Sequence, residues 1–377
     1  MKRIYMDNAA TTMPYPDIID QMADLSKTVF ANPSSLHGEG AEARKILNKA
    51  RQTVAGCLGC DIGEIYFTSG GSECNNWAIS GAIKAYEKQG KNHIVTTAIE
   101  HPSVLKVIEN NNINCTVVGV NRDGVVSPYD IEKAITNQTA LVSVMFASNE
   151  IGTIQPIGEI AEICKSKGVL LHTDAVQAAG KIDINVKALG IDMLSLSSHK
   201  FHGPKGIGVL YIREGIDLPP IISGGMQENE KRAGTENYIS ALCMALALEK
   251  SVKNINESNK NCAIIRQRLI EGISQIKGAV INGGQNCLSN ILSVCFEGID
   301  GEALIYHLDF KGIAASSGSA CHSGTNKPSY VLLALGHDEK LALGSLRLSF
   351  SEYNSPDDTD YVVETIKETV EKLRRIK

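Results

Sequence analysis

The sequence lacks any long run of basic residues, and its formal net charge is small, at -5 over 377 residues. Surfaces that bind nucleic acid or an anionic membrane depend on clustered positive charge. Neither kind of partner is therefore indicated, and a small-molecule substrate is expected.

Long apolar segments are also missing. No stretch approaches the roughly 20 apolar residues that a helix needs to cross a bilayer. The first residues, MKRIYMDN, lack the apolar core of a secretory signal peptide. We expect no membrane association and a cytoplasmic location.

The ten cysteines show no zinc-ligand pattern, and in the cytoplasm they are expected to be reduced thiols. Cys57 and Cys60 have CxxC spacing, but no second cysteine pair or histidine pair follows, so core packing is favoured over a metal or redox role. No metal site is predicted. Cys321 differs because serine and glycine surround it in residues 314–324 (AASSGSACHSG), which predicts an exposed loop thiol.

Between about residues 60 and 250, short apolar runs alternate with helical patterns. This alternation predicts an α/β fold with a mainly parallel sheet covered on both faces. The predicted strands lie at residues 64–68, 92–97, 140–146, 168–173, 193–197 and 208–212. Because ligands bind beyond the carboxyl ends of such strands, the residues that follow each run are expected to meet in one crevice.

After a helical segment at residues 237–254 the pattern changes, with strands expected at 291–296 and 346–350. We predict a large domain at 15–250 and a smaller α+β domain made of 1–14 and 251–377. Residues 357–377 have helical spacing with basic residues in the last turn, which suits a final helix.

Lys200 lies in residues 197–206 (SSHKFHGPKG), where an amine stands among hydroxyl, imidazole and glycine groups. That setting suits a lysine that forms a Schiff base with pyridoxal phosphate, although a single lysine is more often a surface charge. The Gly-rich turn at residues 69–73 (SGGSE) opens a helix, so its N–H groups and the Ser72 hydroxyl could hold a phosphate.

Other strand ends carry groups that suit the same cofactor. Asp174 could pair with a pyridinium nitrogen, and Gln177 could reach the ring hydroxyl. His101 could stack on the ring or move protons, and Asn149 could bond a ring oxygen or a substrate carboxylate. Each has a structural alternative, such as a helix N-cap for Asp174, but their joint occurrence favours one cofactor site.

Several motifs resemble the NifS/IscS-like cysteine desulfurases and extend over nearly the whole chain. They are YMDNAATT (5–12), NPSSLH (32–37), FTSGGSE (67–73), EHPSVL (100–105), NEIGTIQP (149–156), HTDAVQAAG (172–180), SSHKFHGPKG (197–206), RAGTEN (232–237) and SSGSAC (316–321). The resemblance implies a class V aminotransferase-like homodimer of the pyridoxal phosphate-dependent fold type I.

The resemblance also implies roles for individual residues. Lys200 would carry the cofactor, with His101 stacked over its ring and Asp174 and Gln177 bonded to it. The phosphate would be held by the following groups: Gly71, Ser72, Ser197, His199 and, from the partner subunit, Thr235. Arg347 would bind the substrate carboxylate as a bidentate pair, assisted by Asn149.

The implied activity is conversion of L-cysteine to L-alanine, with Lys200, His101 and Cys321 as the catalytic residues. Cys321 as thiolate would take the sulfur as a persulfide, and His322 or His101 is expected to lower the Cys321 pKa or to take its proton. The glycines of residues 316–326 are expected to let the persulfide swing towards an acceptor thiol.

Three other functions are compatible with parts of this pattern: a selenocysteine lyase, an ordinary class V aminotransferase that does not need Cys321, and a non-catalytic binding protein. The sequence leaves the sulfur acceptor open, whether an iron–sulfur scaffold, a tRNA-thiolation enzyme or another carrier, because acceptor choice depends on surface contacts.

Overall fold

The computed structural model describes residues 3–318 and 327–376. Its strands, in chain order, are β1 Ile4–Tyr5, β2 Ile65–Thr68, β3 His93–Thr97, β4 Asn114–Val118, β5 Thr139–Ser143, β6 Leu170–Asp174, β7 Met193–Ser197, β8 Gly208–Ile212, β9 Ala279–Asn282, β10 Ile291–Phe296, β11 Ile313–Ala314 and β12 Ser345–Ser349.

The helices alternate with these strands over most of the chain. They are α1 Pro16–Thr28, α2 Gly38–Leu58, α3 Gly71–Tyr86, α4 Pro102–Asn110, α5 Pro128–Ala134, α6 Ile157–Lys167, α7 Val186–Leu189, α8 Tyr238–Lys253, α9 Ile255–Ile273, α10 Gly301–Phe310, α11 Tyr330–Ala334, α12 Glu339–Leu343 and α13 Thr359–Ile376.

The largest sheet has the strand order β2-β8-β7-β6-β5-β3-β4. β3 to β7 run parallel, whereas β8 is antiparallel to both of its neighbours. Helices α3 and α4 pack on one face, and α2, α6 and α8 pack on the other. Because both faces are covered, every residue of β3, β5, β6 and β7 is buried, whether apolar or polar.

A second, antiparallel sheet of order β12-β10-β9 lies in the C-terminal part of the chain. Helices α9, α10 and α13 pack against it, and Ile4 and Met6 of the N-terminal segment join the same core. β1 pairs with β11 in parallel. The N-terminus therefore packs with the C-terminal part, although the domain boundaries at 15 and 250 stay a prediction.

The predicted α/β fold with a mainly parallel sheet is confirmed. β7, β8 and β10 begin and end at the predicted residues. The prediction missed β4, a short edge strand with three exposed residues out of five.

Cys57 and Cys60 are half-buried free thiols. Burial raises the pKa of Cys57 to about 11 and that of Cys60 to about 12, so both stay protonated at neutral pH. Over residues 3–318 and 327–376, no cluster of three or more histidine, cysteine or acidic side chains is placed to bind a metal ion. In the same ranges no helix has both the length and the apolar character needed to span a bilayer.

Gly208 allows β8 to lie directly beneath the Gly-rich turn that precedes α3. A Cβ at this position would stand 2.6 Å from the Gly70 Cα and 2.6 Å from the Leu196 carbonyl oxygen. Both contacts are with backbone atoms, which cannot rotate away.

We therefore expect Gly208→Ala to lower the free energy of unfolding by about 1–3 kcal/mol. Gly56→Ala is the control, because nothing lies within 4 Å of its added Cβ and alanine is favoured inside helix α2. Urea denaturation should separate the two variants. Equal midpoints would contradict the close approach.

Candidate active site

A cavity of about 320 Å³ lies beyond the carboxyl ends of the parallel strands. Ligand pockets have volumes of roughly 300–1,000 Å³, so its size fits a small cofactor with substrate. The structure brings most of the predicted site residues to this cavity: Gly71, Ser72, His101, Asn149, Asp174, Gln177, Ser197, His199, Lys200 and Arg347.

Lys200 follows β7 in a short 3-10 turn. Its Nζ donates to the carbonyl oxygens of Ala9 at 2.6 Å and Ala10 at 2.8 Å. These carbonyls belong to the N-terminal segment, which is anchored to β12 by a hydrogen bond from the Ala9 N–H to the Ser349 hydroxyl. The amine is therefore held by backbone atoms from a distant part of the chain.

A second lysine lies behind Lys200. The Lys181 Nζ donates to the carbonyl oxygens of Gln177 and Lys200, at 3.0 and 3.1 Å. Burial, followed by the nearby Lys200 charge, lowers the pKa of Lys181 to about 7. Burial and the same Lys200 charge lower the pKa of His199 to about 4, so His199 is neutral at physiological pH.

The predicted phosphate end of the cavity is formed where α3 begins. Gly71 lies tightly against the turn after β6, since a Cβ there would stand 2.7 Å from Val176. Ser72 and the N-terminus of this 16-residue helix face the same region as Ser197 and His199. Helix N-termini favour anions, so the geometry suits a phosphate group.

Asp174 ends β6 and is buried. Its Oδ2 accepts from the Asn75 amide at 2.7 Å, and its Oδ1 accepts from the Val176 N–H at 3.0 Å. The predicted N-cap alternative is thus partly realised, since one oxygen bonds the following turn. Gln177 donates to the Ala9 carbonyl oxygen at 2.9 Å, while its Oε1 is buried without a partner among the described residues.

His101 precedes α4 and caps it, because its Nδ1 accepts from the Ser103 N–H at 3.1 Å. The Ser103 hydroxyl lies 2.7 Å from the same nitrogen. Asn75 connects this pair to the opposite wall, since its amide also donates to the Ser103 hydroxyl at 2.8 Å. His101 and Asp174 are thus joined through two further polar side chains.

Arg347 is 2% exposed and lies on β12 at the edge of the cavity. Its Nη2 forms a 2.9 Å ion pair with Asp7, and its Nη1 donates to the Asn149 carbonyl oxygen at 3.0 Å. The Arg347 Nε is buried with no partner among the described residues. The guanidinium therefore retains a donor, as a carboxylate-binding residue requires.

Two predicted site residues are not among the described residues that line this cavity. Thr235 is exposed and does not line it, which is compatible with the predicted role in a partner subunit but does not test it. Cys321, together with His322 and the rest of residues 319–326, lies outside the described residues.

Sequence reasoning missed several groups that shape the site: Asp7, Ala9, Ala10, Asn75 and Ser103. Asn75 could have been suspected, because it lies one helical turn after Gly71 and therefore on the same face of α3. The carbonyls of Ala9 and Ala10 carried no signal, since any residue type could supply them.

The residues present fit pyridoxal phosphate. The cavity combines an amine, a buried carboxylate, an imidazole and an anion-binding helix N-terminus. In addition, the buried Gln177 Oε1 can accept a hydrogen bond from a bound group. These groups match the aldehyde, the pyridine nitrogen, the ring face, the phosphate and the ring hydroxyl respectively.

Comparison with known proteins agrees with this chemistry. Residues 4–362 match the family model for aminotransferase class V. This chain belongs to the class V aminotransferase family. A cysteine desulfurase IscS from Clostridium botulinum (strain Hall) is 45% identical over 382 aligned positions, covering all of this chain and 96% of the relative.

Solved structures are similar as well. A NifS-like protein superposes with a TM-score of 0.92 at 38% identity, covering 98% of this chain and all of the other. A protein described as SspA in complex with cysteine superposes with a TM-score of 0.81 at 34% identity, covering 93% of this chain and 99% of the other. The predicted fold type I architecture and the NifS/IscS-like cysteine desulfurase group are confirmed, and the alternative functions are not favoured.

Glu100 is a fully buried carboxyl group next to His101 in this class V site. Its Oε1 accepts from the Thr97 hydroxyl at 2.6 Å and from the Met145 N–H at 2.9 Å. Burial outweighs these bonds and raises the pKa of Glu100 to about 8. The folded protein therefore keeps a proton that the unfolded chain releases above about pH 4.5.

Because the folded state binds the extra proton, the stability from Glu100 is present at low pH and is lost as pH rises towards 8. We expect Glu100→Gln to remove this loss, up to about 1.4 kcal/mol per pH unit between pH 5 and 8. The measurement is urea denaturation across that range. Glu109→Gln, at an exposed carboxylate, should keep the wild-type slope, and an unchanged slope in Glu100→Gln would exclude a protonated Glu100.

Proposed function

We propose that this cysteine desulfurase uses pyridoxal phosphate to remove the sulfur of L-cysteine and carries it as a persulfide on Cys321. The observation that supports this most strongly is the convergence of Lys200, His101, Asp174 and Arg347 on one cavity. Together they provide an amine, an imidazole, a carboxylate and a guanidinium around a space of the right size.

When bound, pyridoxal phosphate supplies an electron-withdrawing ring that stabilises negative charge on the substrate α-carbon. Asp174 would pair with the pyridine nitrogen, and Gln177 would bond the ring hydroxyl. Ser72, Ser197, His199 and the N–H groups near Gly71 would hold the phosphate, with Thr235 of the partner subunit completing that end in a homodimer.

Lys200 would bind the cofactor aldehyde through Nζ and would take up the substrate α-proton at the same nitrogen. The buried Lys181 amine supports this role because its Nζ donates to the carbonyl oxygen of Lys200. Burial lowers the pKa of Lys181 to about 7, so the fraction that is protonated near neutral pH favours the neutral, basic form of the neighbouring Lys200 amine.

Arg347 would bind the substrate carboxylate, with Asn149 beside it. The Asp7 carboxylate already occupies one edge of the guanidinium at 2.9 Å, so it holds the group in place. The substrate would engage the remaining donor edge, where Nε has no partner among the described residues.

The sulfur transfer itself balances without an outside oxidant or reductant. The Cys321 thiolate attacks the substrate sulfur, an S–S bond forms and the substrate Cβ–S bond breaks. The electron pair of that bond stays on carbon, which then gains a proton. L-cysteine and one thiol therefore become L-alanine and one persulfide.

The acceptor of that sulfur is a further protein thiol, of an iron–sulfur scaffold or a thiolation enzyme. The NifS/IscS-like relatives support such a partner, and the reduced cysteines fit a cytoplasmic location. Domain boundaries at 15 and 250 would separate the cofactor-binding part from the part that carries Cys321.

Lys200→Ala and Cys321→Ala test the two chemical roles separately. Both variants should lose sulfide and alanine release from L-cysteine in the presence of a thiol reductant. Cys321→Ala should keep the visible absorbance of bound cofactor, whereas Lys200→Ala should lose its protein-linked band because the amine is gone.

Cys57→Ala is the matched thiol control and should keep wild-type activity, since Cys57 does not line the cavity. Equimolar sulfide and alanine from the wild type would support the proposal. A wild type that binds cofactor but releases no sulfide would overturn it.

Arg347→Ala should raise KM for L-cysteine by roughly 100-fold, because a charge-assisted bidentate contact contributes up to about 3 kcal/mol. Arg347→Lys should be affected less, since it keeps the charge but loses the paired geometry. The readout is steady-state kinetics, with thermal unfolding to verify folding. An effect confined to kcat would argue against carboxylate binding by Arg347.

A further inference from the structure

The two hydrogen bonds that Ser103 makes to His101 determine which ring nitrogen carries the proton. The Ser103 N–H points at the His101 Nδ1, 3.1 Å away. A backbone N–H can only donate, so Nδ1 must offer a lone pair. In the neutral imidazole, the proton therefore lies on Nε2.

The direction of the hydroxyl bond agrees with this assignment. The Asn75 amide nitrogen lies 2.7 Å from the Asp174 Oδ2 and 2.8 Å from the Ser103 hydroxyl oxygen. Reversing the amide would turn its oxygen towards a carboxylate, so the NH2 group faces both neighbours. The amide keeps this orientation although its Oδ1 has no partner among the described residues.

Because Asn75 donates to the Ser103 oxygen, the single hydroxyl proton of Ser103 is available for the His101 Nδ1, 2.7 Å away. The donors therefore run in one direction, from Asn75 to Ser103 to His101. Nδ1 receives both hydrogen bonds, and protonating it would abolish the bond from the Ser103 N–H and force the Ser103 hydroxyl to turn round and accept. The arrangement thus opposes the imidazolium form as well as the other neutral tautomer.

We propose that Ser103 is a positioning residue that fixes the Nε2–H tautomer of His101. His101 then acts in the cavity as a neutral hydrogen-bond donor and not as a general base, because a base at Nε2 needs the lone pair that the proton occupies. Asn75 keeps Ser103 in this role and joins it to Asp174. The proposal builds on the function given above and leaves proton removal to Lys200 and to groups other than His101.

The test uses protein labelled with ¹⁵N-histidine and loaded with pyridoxal phosphate. The imidazole nitrogen signals of His101 are assigned as those missing from His101→Gln, and the tautomer is read from the two nitrogen shifts at pH 7.5. Wild type should show only the Nε2–H form. An Nδ1–H or doubly protonated ring in the wild type would overturn the proposal.

Ser103→Ala removes the hydroxyl donor, whereas Ser103→Thr keeps it. Both variants keep the Ser103 N–H bond to Nδ1. We expect a minor Nδ1–H population in the alanine variant, because one hydrogen bond instead of two then favours the Nε2–H form, and the wild-type signature in the threonine variant. Ser103→Ala should also lower kcat about tenfold, in line with the loss of one buried hydrogen bond, while KM changes little. A wild-type spectrum in Ser103→Ala would show that the hydroxyl does not fix the tautomer.

The NMR measurement of the tautomer needs no turnover of L-cysteine, so its result does not depend on the proposed activity. If the wild type released no sulfide, the desulfurase proposal would fail while the NMR result still decided the role of Ser103. If sulfide is released and the tautomer is wrong, only the Ser103 proposal fails.

Discussion

The contact of the Lys200 amine with the carbonyl oxygens of Ala9 and Ala10 is the interaction on which the site geometry depends. Lys200 stands at the end of a strand in the large sheet, whereas Ala9 is bound to β12 of the smaller sheet. Gln177 donates to the same Ala9 carbonyl oxygen. One short N-terminal segment thus sets the position of the two halves of the site relative to each other.

Two basic side chains are buried beside Lys200 in this arrangement of the two halves of the site. Lys181 lies behind Lys200, and Arg347 lies on the opposite side with only 2% of its surface exposed. An isolated buried charge would be costly, so Arg347 has a carboxylate partner in Asp7, whereas Lys181 bonds two carbonyl oxygens and its pKa falls to about 7. Basic side chains with hydrogen-bond donors are therefore concentrated where an anionic cofactor and a substrate carboxylate would bind.

Much of the site could be predicted because the residues follow predicted strands. Parallel strands place their carboxyl ends at one edge, so Asp174 at the end of β6 and Lys200 after β7 had to lie near each other. What could not be predicted are contacts that depend on register and side-chain direction. Asn75 bridges Asp174 and Ser103 only because the packing of α3 against the strand ends brings its side chain within hydrogen-bond distance of both.

The sequence by itself determined the fold class, the family and the chemical types of group available, because periodicity and motif spacing are local properties of the chain. Only the tertiary structure decided that Asp7 pairs with Arg347, that the Ala9 carbonyl oxygen receives Lys200, and that His101 accepts two bonds at Nδ1. Those outcomes join residues up to 340 positions apart or depend on a hydrogen-bond direction. Neither is encoded in a local pattern, since the energy of each contact depends on the packing that surrounds it.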